Sequence, residues 1–157
     1  MFCLVATWHD TESIAIHRLH SSGHLVVDRR VSTDTLTVNH GGVAVTMAAS
    51  RRCEAGCPTY VRRFGPCPTS FEVTAARATV GAKSYTLVVN YRPGSVDVTQ
   101  TFFDELSDLL DRVITTNDTL FIVGDLNIHL ERSADVHAQR LRDLLGCYDI
   151  VLRYRHS

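Results

Sequence analysis

Six apolar residues, Phe102, Phe103, Leu106, Leu109, Leu110 and Val113, recur at three- and four-residue spacing. They lie between two strand-like apolar runs, SYTLVVNY (84–91) and TLFIV (119–123). That period marks a helix with one apolar face. The charges Asp104, Glu105, Asp108 and Asp111 fall mostly off the stripe, so the stripe reads as core. Asp97, with Gln100 three residues on, resembles a capping box at its start. A helix set between strands restricts the chain to folds that mix both elements.

Upstream, FCLVA (2–6), HLVVD (24–28), GVAVTM (42–47), YVRRF (60–64) and SFEVTAARATV (70–80) also read as strands. Phe71, Val73 and Ala75 alternate with Glu72, Thr74 and Ala76, the pattern of a strand with one wet face. Gly81-Ala82-Lys83 suggests a hairpin into the next strand. Leu120 to Val123 are continuously apolar, which suits a central strand covered on both faces. A second helix is expected from about Ala134 to Leu145, with Ser133 as N-cap and Gly146 as stop. A final strand, IVLRY, follows. Strands, helix, strand, helix, strand is an α/β (α+β) pattern, and 157 residues suffice for one domain with a real core.

Several function classes receive no support. Net charge is −1, so no global basic field points to nucleic acid, and pairs such as Arg51-Arg52 read as solvated surface. No run reaches the ~18 apolar residues of a membrane span, and MFCLVATWHD lacks a basic signal-peptide start. The expectation is an intracellular chain with no membrane partner and no small-molecule cofactor. Cys53, Cys57 and Cys67 are spaced C-x3-C-x9-C without a nearby His, which favours reduced thiols over zinc.

Chemistry is expected at two strand ends. Asp125 follows an apolar run and Gly124, where open α/β sheets place ligands. Asn127 points to the same side if the extended geometry continues. An acid and an amide there could hold a water and a phosphate oxygen. Equally, both could bond local backbone in an Asx-type turn. Tyr91 and Arg92 end another strand before Pro93-Gly94. They offer a phenol donor and a forked cation for phosphate, or else an interface tyrosine and a surface arginine before a turn.

Taken in order, Y-R-P-G, the amphipathic helix and G-D-L-N resemble the endonuclease/exonuclease/phosphatase superfamily. The likeness is to the endonuclease domain of non-LTR (LINE-type) retrotransposon proteins. ATWHDTES, NHGGVAV (39–45), FFDELSDLLDRV and GDLNIHLE extend the resemblance from Leu4 to about Ile150. It implies two packed mixed β-sheets flanked by helices and Mg²⁺-dependent cleavage of DNA, in an intracellular or nuclear setting. Asp125 would then be the base, Asn127 would hold a phosphate oxygen or the metal shell, and Tyr91 would bond the scissile phosphate. Arg92 would bind substrate.

The departures from that pattern are specific. Ala6 stands where the family has its metal-ligating Glu, and alanine offers Mg²⁺ no oxygen. Glu12 lies six residues downstream of it. The family's earlier strand with a metal-site Asn and its closing Asp-His pair are not matched, since His156 lacks a preceding Asp. The expectation is therefore a single partial domain over 1–157, incomplete at both ends, marginally stable and impaired in activity. The alternative is an inactive remnant or weak nucleic-acid-binding module. His9, His40 and His129 receive no catalytic role; a loop histidine bonded to a neighbour is the expectation for His129.

Overall fold

The computed structural model describes residues 2–5, 14, 18, 21, 24–29, 43–48, 53–54, 68–80, 82–116 and 118–153. Seven strands and two long helices appear among them. In chain order they are β1 (Phe2–Val5), β2 (His24–Arg29), β3 (Val43–Ala48), β4 (Cys53–Glu54), β5 (Glu72–Val80), β6 (Lys83–Tyr91), α1 (Gln100–Val113), β7 (Thr119–Asp125) and α2 (Val136–Cys147). The expected strand at 60–64 lies outside the described residues, as do Ala6, His9, Glu12, His40, Cys57, Cys67 and His156.

The strands form a three-stranded sheet, β1-β3-β2, and a four-stranded sheet, β4-β5-β6-β7, giving the α+β class expected. Only the second sheet is mixed. Every pairing in the first is antiparallel, whereas β7 runs parallel to its neighbour β6. The hairpin expected near Gly81 is present, with Val80 opposite Lys83.

Two apolar layers hold this arrangement. On one face of the four-stranded sheet, Phe71, Val73, Ala75 and Val88 meet the whole expected α1 stripe and Leu141 and Leu145 of α2. On the other face, Ala76, Leu87 and Val89 meet Val43 and Val45 of β3. This second layer corrects the reading of β5. Its polar side is not wet: Glu72, Thr74 and Ala76 are 3%, 1% and 1% exposed. Alternation reports two different faces, but not that a second sheet covers the polar one.

β7 also differs from expectation. Among the described residues it is the edge of its sheet, and Phe121 is 49% exposed. Its continuous apolarity serves different neighbours. Leu120 and Ile122 pack against the helical layer, Val123 against the other, and Phe121 stacks on Tyr85. The start of this edge strand is pinned by Asp118, which accepts two bonds from the Arg77 fork (2.8 and 3.0 Å) and one from Thr86 Oγ1 (2.8 Å).

The helix ends use different caps from those expected. Thr99, not Asp97, caps α1 by accepting from Phe102 N–H. Gln100 instead donates to Asp104. Asp135, not Ser133, caps α2, accepting from His137 and Ala138 N–H. Gly146 lies within the last turn of α2. The left-handed residue beyond it is Asp149, at φ 54°. Residues 151–153 form no strand. No helix of the described residues is long and apolar enough to cross a membrane.

Helix α1 is tied to the start of β5 by Glu105. Its carboxylate accepts from the N–H and hydroxyl of both Thr69 and Ser70, at 2.6 to 2.9 Å. Partial burial pushes this carboxyl up, but those four bonds outweigh it and hold it below its ordinary 4.5. A lowered folded value stabilises the fold above the unfolded value, and that stabilisation is lost as pH falls through the folded one. Glu105→Gln should therefore cost about 1–3 kcal/mol at neutral pH. Urea unfolding at pH 7 and in acid checks this, because the gap to the parent should narrow below the carboxylate range. A gap that does not change with pH would count against it.

Candidate functional site: the rim where β6 and β7 end

The parallel pairing of β6 and β7 follows from the helix between them, since a crossover returns the chain in the same direction. It brings both carboxyl ends to one rim. Asn90 pairs with Gly124, and Tyr91 with Asp125. Gly124 is required there: a Cβ would stand 2.0 Å from the Asn90 carbonyl oxygen. Gly94 lies against Asn127, whose Oδ1 would be 3.0 Å from an added Cβ.

Arg92 joins the two turns. It is only 2% exposed. Its backbone N–H donates to Asp125 O at 2.9 Å. Its side chain donates from Nε to Leu126 O at 2.7 Å and from Nη2 to Asn127 O at 2.8 Å. Nη1 donates to Pro93 O and Val96 O. The guanidinium carbon also stands 5.8 Å from the Phe102 ring centroid. Burial lowers the affinity of this guanidinium for its proton, while Asp125 and Asp97 oppose that effect. Arg92 was expected to offer its fork to substrate; in the structure that fork meets backbone carbonyls. Four bonds to backbone carbonyls occupy it, because a buried charge must find acceptors.

Asn127 returns the link, its Nδ2 donating to Arg92 O at 2.7 Å. The chain is not extended there. Asn127 is left-handed, at φ 51°, a conformation asparagine tolerates. Its N–H donates to Asp125 Oδ1 at 2.8 Å, the Asx-type turn that was one of the two readings. Leu126, Ile128 and Leu130 anchor the following loop on the helical core. Asn127, His129 and Glu131 alternate with them toward solvent. His129 pairs with Glu131 at 3.0 Å, the neighbour bond expected of it.

Asp125 is exposed, and a carboxylate that accepts one local bond retains further acceptor sites. Tyr91 is 8% exposed. Burial raises its phenol above the ordinary value, and Asp125 and then Glu72 raise it further. The buried Tyr91 phenol and the exposed Asp125 carboxylate thus stand on neighbouring strand ends. Glu72, missed in the sequence, joins this neighbourhood because it pairs with Tyr91 across the β5–β6 hairpin. The hairpin could have revealed it: counting outward equally from Val80 and Lys83 reaches Glu72 and Tyr91 together.

Among the described residues, no group of three or more His, Cys, Asp or Glu side chains could hold a metal ion. The described rim therefore supplies no metal cage of its own. Comparison with family models and with curated proteins finds no match.

The Arg92 geometry makes a stability prediction. Lysine carries one compact ammonium and cannot reach carbonyls arranged around a planar fork. Arg92→Lys should cost about 2–4 kcal/mol by removing several of the charge-assisted bonds that join the two turns. Urea unfolding measures it; a loss under about 0.5 kcal/mol, the range of an ordinary surface substitution, would contradict the clamp.

Proposed function

We propose that this chain is a phosphodiester-cleaving domain of the endonuclease/exonuclease/phosphatase type, with DNA as its substrate. The observation that carries the reading is the pairing of Tyr91 with Asp125 at adjacent parallel strand ends. Together with the order of the Y-R-P-G and G-D-L-N motifs, it supports one base and one neutral donor on a single rim.

In this reading Asp125 accepts a proton from water as the water oxygen attacks phosphorus. The P–O bond to the leaving sugar oxygen breaks, and that oxygen is protonated from solvent. The Tyr91 phenol donates to a non-bridging phosphate oxygen, where charge grows in the transition state. Asn127 holds Asp125 in place through its backbone N–H. Arg92 acts by fixing the turn and does not touch the phosphate. The family resemblance assigns charge neutralisation to Mg²⁺. Ala6 stands in place of the ligating Glu, so a low rate is the expectation. Binding to DNA should be weak and should fall steeply with salt. An intracellular or nuclear setting goes with that substrate.

The second reading is an inactive remnant that retains at most weak nucleic-acid binding. The bonds joining Arg92 and Asn127 favour it, because they give both side chains a structural use without substrate.

A plasmid-nicking assay in Mg²⁺ separates the two. The parent chain should convert supercoiled plasmid to nicked circles. Asp125→Ala should lower that rate about 10²-fold or more, as loss of a general base does. Equal rates in parent and variant would sink the enzymatic reading and leave the remnant.

A further inference from the structure

Both helices start beside the rim. The chain enters α1 from the end of β6 through residues 92–99, and α2 from the end of β7 through residues 126–135. Phe103, near the start of α1, meets two side chains from the start of α2. The His137 ring stacks on it at 6.4 Å, and the Arg140 guanidinium stands 4.1 Å from its ring centroid. His137 and Arg140 are three residues apart, so they share one side of their helix. Both are exposed. The path from the rim to this pair is short. The Arg92 guanidinium lies 5.8 Å from the Phe102 ring, and the Phe102 and Phe103 centroids are 5.1 Å apart.

Arg140 is used differently from its neighbours. Arg92 spends its fork on backbone carbonyls, and Arg142 donates to Leu130 O at 2.7 Å. Among the described residues, no carbonyl or carboxylate accepts from Arg140. The nearby acids have other tasks: Glu131 pairs with His129, and Asp135 caps α2. A guanidinium over a ring face is held by its charge, which leaves its in-plane N–H donors unspent.

We propose that Arg140, assisted by His137, binds a backbone phosphate of the DNA that flanks the scissile one. The inference rests on the reading of the rim as a phosphodiester-cleaving site. The planar fork presents parallel donors that match two phosphate oxygens. Phosphates recur about every 3.4 Å along the axis of one strand. A strand laid across the rim therefore offers Arg140 a phosphate within a few nucleotides of the one at Asp125. Such a contact carries no base preference and sets where the strand lies.

The test is fluorescence anisotropy of a labelled DNA duplex titrated with the full chain, without Mg²⁺, over a series of potassium chloride concentrations. Lys83→Gln is the control, because Lys83 lies at the opposite end of β6 and its loss removes the same charge far from the rim. Arg140→Gln should weaken binding several-fold and lower the slope of log affinity against log salt by about one. Lys83→Gln should change both less. Arg140→Lys should keep the slope and lose part of the affinity, since the charge stays and the fork goes. Equal effects of Arg140→Gln and Lys83→Gln would overturn the proposal. So would parent-like affinity in Arg140→Gln, or a parent that binds no duplex at low salt. If Arg140→Gln does not fold, Arg140→Lys decides: weaker binding at the parent's slope supports the contact, and parent-like binding overturns it. The readout is binding alone. A parent that binds through Arg140 and does not nick sinks only the enzymatic reading, and one that nicks while Arg140→Gln binds unchanged sinks only the phosphate contact.

Discussion

The buried Arg92 guanidinium sits between two turns and joins them. Pro93 and Val96 belong to one turn, Leu126 and Asn127 to the other, and the same side chain donates to all four. A bond from a charged donor contributes about 1.5–3 kcal/mol net, and a carbonyl orphaned in the interior costs a similar amount. The strength of this contact therefore lies as much in what its loss would expose as in what it forms. Asn127 reciprocates through its own side chain. The ends of β6 and β7 are consequently one unit, and the acid and phenol they carry keep a fixed relation.

The remainder of the described fold supports that unit from a distance. β7 is an edge strand among the described residues, with a ladder on one side only. Asp118 ties its start to β5 and β6, and Arg92 ties its end to the β6 turn. Helix α1 lies over the same strands, its stripe buried and its flank joined to β5 by Glu105. The crossover through α1 makes the two strand ends coincide, and the two ties prevent them from slipping relative to each other.

What the sequence discloses follows from the range of each signal. The α1 stripe is legible because every member serves a single face, and all six residues are buried. The hairpin and the α+β class are legible for the same local reason. Caps are less so: several polar residues precede each helix, and only geometry selects Thr99 and Asp135. The rim at Asp125 is legible as a location, but the backbone bonds of Arg92 are not. A forked cation beside a turn looks the same in sequence whether it faces phosphate or backbone. Glu72 is hidden because its alternation resembles that of a solvent face. Only a second sheet, assembled from a distant part of the chain, turns that face inward.

Native-state amide hydrogen exchange tests the joined rim most directly. The Arg92 amide donates to Asp125 O, and the Asn127 amide donates to Asp125 Oδ1. If the two turns are one unit, both amides should open together, with the same free energy and the same denaturant dependence. Contradiction would come from an Asn127 amide that exchanges like a free loop while the Arg92 amide stays protected.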